Sequence, residues 1–146
     1  MGTRADFYVG KGKEAEWLGS IAWDGCDIPD SISTSTAEVA YRKAVEVFLQ
    51  NRDDATFPKD GWPWPWDDSG TTDCSYWFFD DQCWEATGYP HEYWVPCTGE
   101  RPDPDDEAAY DAWIMTHERT EFLDMSSKKN VTFGKRSGVM ILKVGG

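Results

Sequence analysis

No apolar run in this sequence approaches the ~18 residues of a membrane-crossing helix. Its start, Met1-Gly2-Thr3-Arg4-Ala5-Asp6, lacks the basic-then-apolar order of a leader. Gly2 is not followed by Ser or Thr at position 6, where Asp6 stands, which argues against myristoylation. The cytoplasm is therefore the expected location. Histidine is scarce, His91 and His117 being the two, and Cys26, Cys74, Cys83 and Cys97 include no paired CxxC spacing, so finger-type zinc patterns are excluded. The four cysteines are expected as reduced, mostly buried thiols; in a secreted chain, Cys74 and Cys83 are the pair to test across a hairpin. No G-x-S-x-G, Walker loop, dinucleotide fingerprint or H-E-x-x-H is present, so neither cofactor nor metal nor enzymatic activity is expected. Basic residues are few: 14 Lys and Arg stand against 27 Asp and Glu, for a net charge of −13. That balance argues against direct binding to nucleic acid or to an anionic membrane surface.

What the sequence has in abundance is aromatic side chains, 9 Trp, 6 Tyr and 7 Phe in 146 residues, a content no disordered acidic tail carries. The length fits one domain spanning 1–146. Charge is unevenly spread. Asp53 to Asp124 holds 19 acidic and 3 basic residues, a balance of −16, while the remainder holds 8 acidic and 11 basic, or +3. The same stretch carries 15 of the 22 aromatics. Acid and aromatic are interleaved there, a combination that attracts basic surfaces and speeds association with them.

The pattern predicts an α+β fold, mainly an antiparallel sheet built from hairpins, with two principal helices over residues 36–51 and 104–118. Ala5–Val9 and Glu16–Trp23 read as a hairpin, with Trp17, Gly19, Ile21 and Trp23 sharing one face by two-residue alternation. Ser35-Thr36-Ala37-Glu38 fits a capping box. Ala37, Ala40, Tyr41, Ala44, Val45, Phe48 and Leu49 form the apolar stripe of the helix that follows. Cys74–Phe79, Cys83–Thr87 and His91–Val95 read as strands. Asp103-Pro104-Asp105-Asp106-Glu107 reads as a helix start with Pro at the first position, leading into a helix that buries Tyr110, Trp113 and Ile114. Val131–Phe133 and Val139–Val144 are expected to close a last hairpin, its final strand central in the sheet.

Three features are candidates for function. The run Trp62-Pro63-Trp64-Pro65-Trp66 reads either as an exposed aromatic strip or as a rigid loop whose indoles close the core. The burial habit of Trp favours the loop, with any exposed member left as an interface anchor. Paired carboxylates at Asp53/Asp54, Asp67/Asp68, Asp80/Asp81 and Asp105/Asp106 resemble the acid–base pairs of glycan hydrolysis in number only, because adjacent residues rarely converge on one atom; turns and a helix N-terminus account for them. The acidic run from Asp103 fails the calcium-loop pattern, since its sixth and twelfth positions are Ala108 and Ile114. His117 and Glu118 lack a nucleophile and an orienting partner.

Met1-Gly2-Thr3-Arg4-Ala5-Asp6-Phe7-Tyr8-Val9-Gly10 through Glu16-Trp17-Leu18-Gly19-Ser20-Ile21-Ala22-Trp23-Asp24-Gly25, together with Gly61-Trp62-Pro63-Trp64-Pro65-Trp66-Asp67-Asp68-Ser69, resemble an uncharacterised family of small acidic proteins of bacteriophages, prophages and related mobile elements. The likeness covers about a third of the chain. It implies a genomic setting, in which small acidic proteins are often anti-restriction or anti-CRISPR inhibitors, some of them nucleic-acid mimics. The expectation is thus a non-enzymatic inhibitor acting in the cytoplasm of a bacterial host. It would bind a basic protein surface, such as that of a CRISPR effector, through Asp67, Asp68, Asp80, Asp81, Asp103, Asp105, Asp106, Glu107 and Asp111, with exposed members of Trp62, Trp64 and Trp66 as anchors. The alternatives are a carbohydrate-binding or glycan-hydrolysing protein and a phage structural or assembly protein.

Overall fold

Short stretches of alternating side chains, punctuated by turns that carry Gly or Asp, give this chain its strands. The computed structural model describes residues 3–88 and 90–128. In chain order these form β1 (Ala5–Val9), β2 (Glu16–Ile21), the single turn α1 (Asp30–Ser33), α2 (Glu38–Gln50), β3 (Cys74–Phe79), β4 (Gln82–Gly88), β5 (His91–Pro96) and α3 (Glu107–Ile114). The strands make one sheet in the order β2-β1-β3-β4-β5. Three pairings are antiparallel, and β1 with β3 is parallel. The fold is α+β and mostly antiparallel, as the pattern predicts. Antiparallel β2 brings the chain back to the Ala5 end of β1, where β3 also begins, and residues 22–73, including α2, carry it from one side of β1 to the other.

Both faces of the sheet are covered. On one, Ala5, Phe7, Ile21, Cys74, Tyr76, Phe78 and Cys83 pack against Ile32 of α1 and against Tyr41, Val45 and Leu49 of α2. The last three lie at four-residue spacing, one turn apart, and each loses nearly all its exposure. At about 1.5–3 kcal/mol for a buried side chain of this size, they anchor α2; Ala37 and Ala40 of the predicted stripe are exposed. On the other face, Tyr8, Trp17, Trp77, Ala86 and Trp94 pack against Trp62, Trp64 and Met125. Tyr8 stacks on Trp77 at 3.8 Å between ring centroids, and Trp77 meets Trp94 edge-on at 5.7 Å.

The expected shared face of Trp17, Gly19, Ile21 and Trp23 is not formed. Phe7 pairs with Gly19 but Tyr8 pairs with Trp17, so Leu18 is an extra residue and the strand bulges there. The bulge turns Trp17 to the indole face and leaves Ile21 on the helix face, while Trp23 lies beyond the strand, 52% exposed. Both helices are shorter than predicted. Ser35 does not cap α2: its hydroxyl donates to the Ser31 carbonyl at 2.6 Å, closing the preceding turn, and α2 starts at Glu38 after an Ala37 that makes no side-chain cap. Likewise α3 starts at Glu107, with the Asp106 carboxylate accepting from the Ala109 N–H, so Pro104 lies outside it. It stops at Ile114, where the Thr116 hydroxyl and His117 Nδ1 both converge on the Trp113 carbonyl. Tyr110, Trp113 and Ile114 are half-buried, and α3 contains no buried residue at all.

The cysteine expectation is also corrected. Cys26 and Cys74 form a disulfide that ties the approach to α1 to the first residue of β3, so Cys74 partners Cys26 and not Cys83; Cys83 and Cys97 are free thiols. The final hairpin expected at 131–133 and 139–144 lies outside the described residues.

Candidate functional site

The most elaborate polar arrangement is one the sequence reading did not single out. Asp6 shares the inward face of β1 with Tyr8 and is fully buried. Its Oδ1 accepts from the Ser20 hydroxyl at 2.6 Å and from the Trp64 indole N–H at 2.7 Å, and its Oδ2 accepts from the Ser69 hydroxyl at 2.6 Å. Around this shell, Trp17 Nε1 donates to Ser20 and Tyr8 shares a hydrogen bond with Ser69. Trp66 Nε1 donates to Thr72 at 2.8 Å, and Trp62 Nε1 closes the loop on itself through the Trp66 carbonyl. Burial raises the Asp6 carboxyl above its ordinary value of 3.8, against the pull of hydrogen bonds from Ser20, Ser69, Trp64 and Thr72. Burial, and then the nearby Asp6 charge, push the Tyr8 phenol well up.

A buried carboxylate whose ionisation is disfavoured is a candidate acid or base when a substrate can reach it. Asp6 lines none of three surface cavities: about 700 Å³ beside Trp23, Arg52 and Asp54; about 810 Å³ between Leu18, α2 and Phe57–Lys59; and about 410 Å³ between Lys11–Glu14, Trp94 and Glu118–Glu121. Its chemistry is structural. It fastens the Trp-Pro loop to the sheet. The signal was legible in principle: an Asp between Ala5 and Phe7, at the alternation position of Tyr8, must face inward.

The same network decides the aromatic candidates. Trp62 and Trp64 are 1% and 8% exposed, so neither is a surface anchor; Trp66 is half-buried, with the Arg4 guanidinium 5.6 Å from its ring. The Trp-Pro run is a loop folded over the sheet.

The nine candidate carboxylates ride on three separate carriers. Asp67 and Asp68 belong to the Trp loop, where Asp68 Oδ1 caps a short turn by accepting from the Gly70 N–H. Asp80 and Asp81 form the two-residue β3–β4 turn, both with positive φ, 51° and 61°. Asp73 and Asp80 flank opposite ends of β3, about 23 Å apart at 3.3 Å per residue. Asp103, Asp105, Asp106, Glu107 and Asp111 lead into and occupy α3, and all five are exposed. Elsewhere in the acidic stretch, Asp54, Asp73, Glu85 and Glu118 are neutralised by Arg52, Arg4, Arg101 and Lys11. Among the described residues, none of the five on the α3 limb forms an ion pair. Beside them, Met115 is 67% exposed and Trp113 is held half-open between the Arg101 guanidinium at 5.6 Å and the His117 ring at 4.7 Å.

No group of three or more His, Cys, Asp or Glu side chains among the described residues is arranged to hold a metal ion. No helix among them is long and apolar enough to cross a membrane. No family model, curated protein or solved structure matches the chain.

Proposed function

We propose that this chain is a non-enzymatic inhibitor, carried by a phage or mobile element, that docks its α3 limb on a basic nucleic-acid-binding surface of a host defence protein, a CRISPR effector being the fitting class. One observation carries the reading. Residues 103–115 present five exposed carboxylates without ion-pair partners among the described residues, together with half-buried Tyr110 and Trp113 and exposed Met115, on a helix with no fully buried residue. Grooves that hold DNA or RNA are lined with Lys and Arg, and a ridge of carboxylates meets them with the charge of a phosphate backbone. Aromatic residues and Met are the side chains most enriched where protein interfaces lose water. The −16 balance of Asp53–Asp124 adds long-range steering toward such a target. The anchors in this reading are Tyr110, Trp113 and Met115, in place of the enclosed Trp62 and Trp64. With Trp62 and Trp64 enclosed, the Trp-Pro run offers no continuous exposed strip for sugar rings.

The test is binding of the full chain to a purified CRISPR effector loaded with its guide RNA, titrated at two salt concentrations and in competition with target DNA. Affinity should fall at least about tenfold between roughly 50 and 500 mM salt. The triple variant Asp105→Lys, Asp106→Lys, Asp111→Lys should lose binding, whereas Asp80→Asn with Asp81→Asn should lose little. Salt-independent binding, or a triple variant that binds as well as the parent, refutes the reading.

A further inference from the structure

We infer that Cys83 and Cys97 constitute a thiol–disulfide exchange site that closes a second disulfide across the β4–β5 ladder. Trp84 pairs with Pro96 in that ladder, which sets Cys83 opposite Cys97, and the Cys97 N–H donates to the Cys83 carbonyl at 3.1 Å. The two sulfurs stand 3.2 Å apart, with the Cys97 thiol donating to Cys83 Sγ. A ladder of hydrogen bonds holds both backbones, so the sulfurs need only a small side-chain adjustment to reach bonding distance. With Cys26 already joined to Cys74, all four cysteines are then sorted in space into two pairs.

The two thiols are unequal in access. Cys83 is 2% exposed and Cys97 is half-buried. Cys97 therefore reacts first with a small disulfide such as oxidised glutathione. Its thiolate attacks one glutathione sulfur, forming a mixed disulfide and releasing one glutathione thiolate. Cys83 then attacks Cys97 Sγ and expels the second. Two protein S–H bonds become one S–S bond, the glutathione disulfide is reduced, and both protons end on the two glutathione thiols. The hydrogen bond with Cys83, and then burial, hold the Cys97 thiol well above its ordinary range, so the first step is slow near neutral pH and quickens in alkali.

The experiment treats the folded full chain with oxidised glutathione at about pH 8.5, quenches with an alkylating agent and maps peptides without reduction. The expected result is loss of two alkylatable thiols, a mass lower by two hydrogens, and a linked Cys83–Cys97 peptide. Cys83→Ser should instead stop at the glutathione adduct on Cys97. The inference is overturned if both thiols stay alkylatable, if the parent chain accumulates the adduct without closing, or if the linked peptide joins Cys83 to Cys74.

Discussion

Asp6 sits at 0% exposure with a charge that only hydroxyl and indole donors offset. Removing the carboxylate strands those donors, and the Trp64 N–H cannot turn elsewhere in a packed core. Asp6→Ala should therefore destabilise by about 3 kcal/mol or more in urea unfolding, and it should loosen the Trp loop before the helix face. Asp6 and Asp54 also give opposite pH slopes. The Asp6 carboxyl is raised, so the native state binds that proton more tightly than the unfolded chain. Its contribution is complete below 3.8 and is lost as pH rises through the raised value. Burial opposes ionisation of Asp54 too, but the Arg52 guanidinium and the backbone N–H groups of Trp23 and Ala22 outweigh it and hold the carboxyl below 3.8. Its contribution is present above 3.8 and is lost as pH falls through the lowered value. Unfolding midpoints across an acid pH series should show Asp6→Asn abolishing the loss on the rising side and Asp54→Asn flattening the loss on the falling side.

At the scale of elements, the strands were legible because alternation and turn residues announce them: β1 and β3 match the predicted boundaries, and β4 and β5 extend theirs by one or two residues. The bulge at Leu18 was not, since one extra residue inverts every later side chain without changing composition. Gly19 marks it in retrospect. At φ 149° a Cβ there would lie 2.6 Å from Leu49 Cδ1 and 2.8 Å from the Thr56 carbonyl, whereas at Gly99 nothing lies within 4 Å. Gly19→Ala should cost about 2 kcal/mol or more, against about 1 kcal/mol for Gly99→Ala, where only the positive φ is strained; chemical denaturation of the two variants checks the contrast. The helix starts were misplaced for a shared reason. In sequence Ser35 fits a cap and Pro104 a first helical position, but Ser35 is drawn to the preceding turn and Asp106 takes the cap of α3 ahead of the earlier acids.

For the molecule as a whole, the excess of acid was legible but its placement was not, because placement depends on which carboxylates find a cation from distant chain. Arg4 and Lys11, far away in sequence, and the nearby Arg52, all outside the acidic stretch, pair with Asp73, Glu118 and Asp54, whereas among the described residues the five acids of the α3 limb form no ion pair and stand together on one short segment. This is why the reversal of Asp105, Asp106 and Asp111 is the decisive variant and the Asp80/Asp81 pair its control: the two change the same kind of group at different sites. The triple variant reverses three charges and the control neutralises two, so if total charge alone governs binding the two losses scale with those charge changes; if location governs it, the triple variant loses far more than that scaling predicts and the control loses almost nothing.

The nine indoles are also unevenly enclosed. Trp17, Trp62, Trp64, Trp77 and Trp94 lie in the interior, Trp66, Trp84 and Trp113 are half-enclosed, and Trp23 is open to water. The molecule is thus its own optical gauge. Acrylamide reaches Trp23 readily and Trp113 in part, so occupancy of α3 registers as protection of a minor, quenchable fraction of the emission, while the bulk of the signal reports only whether the fold is intact.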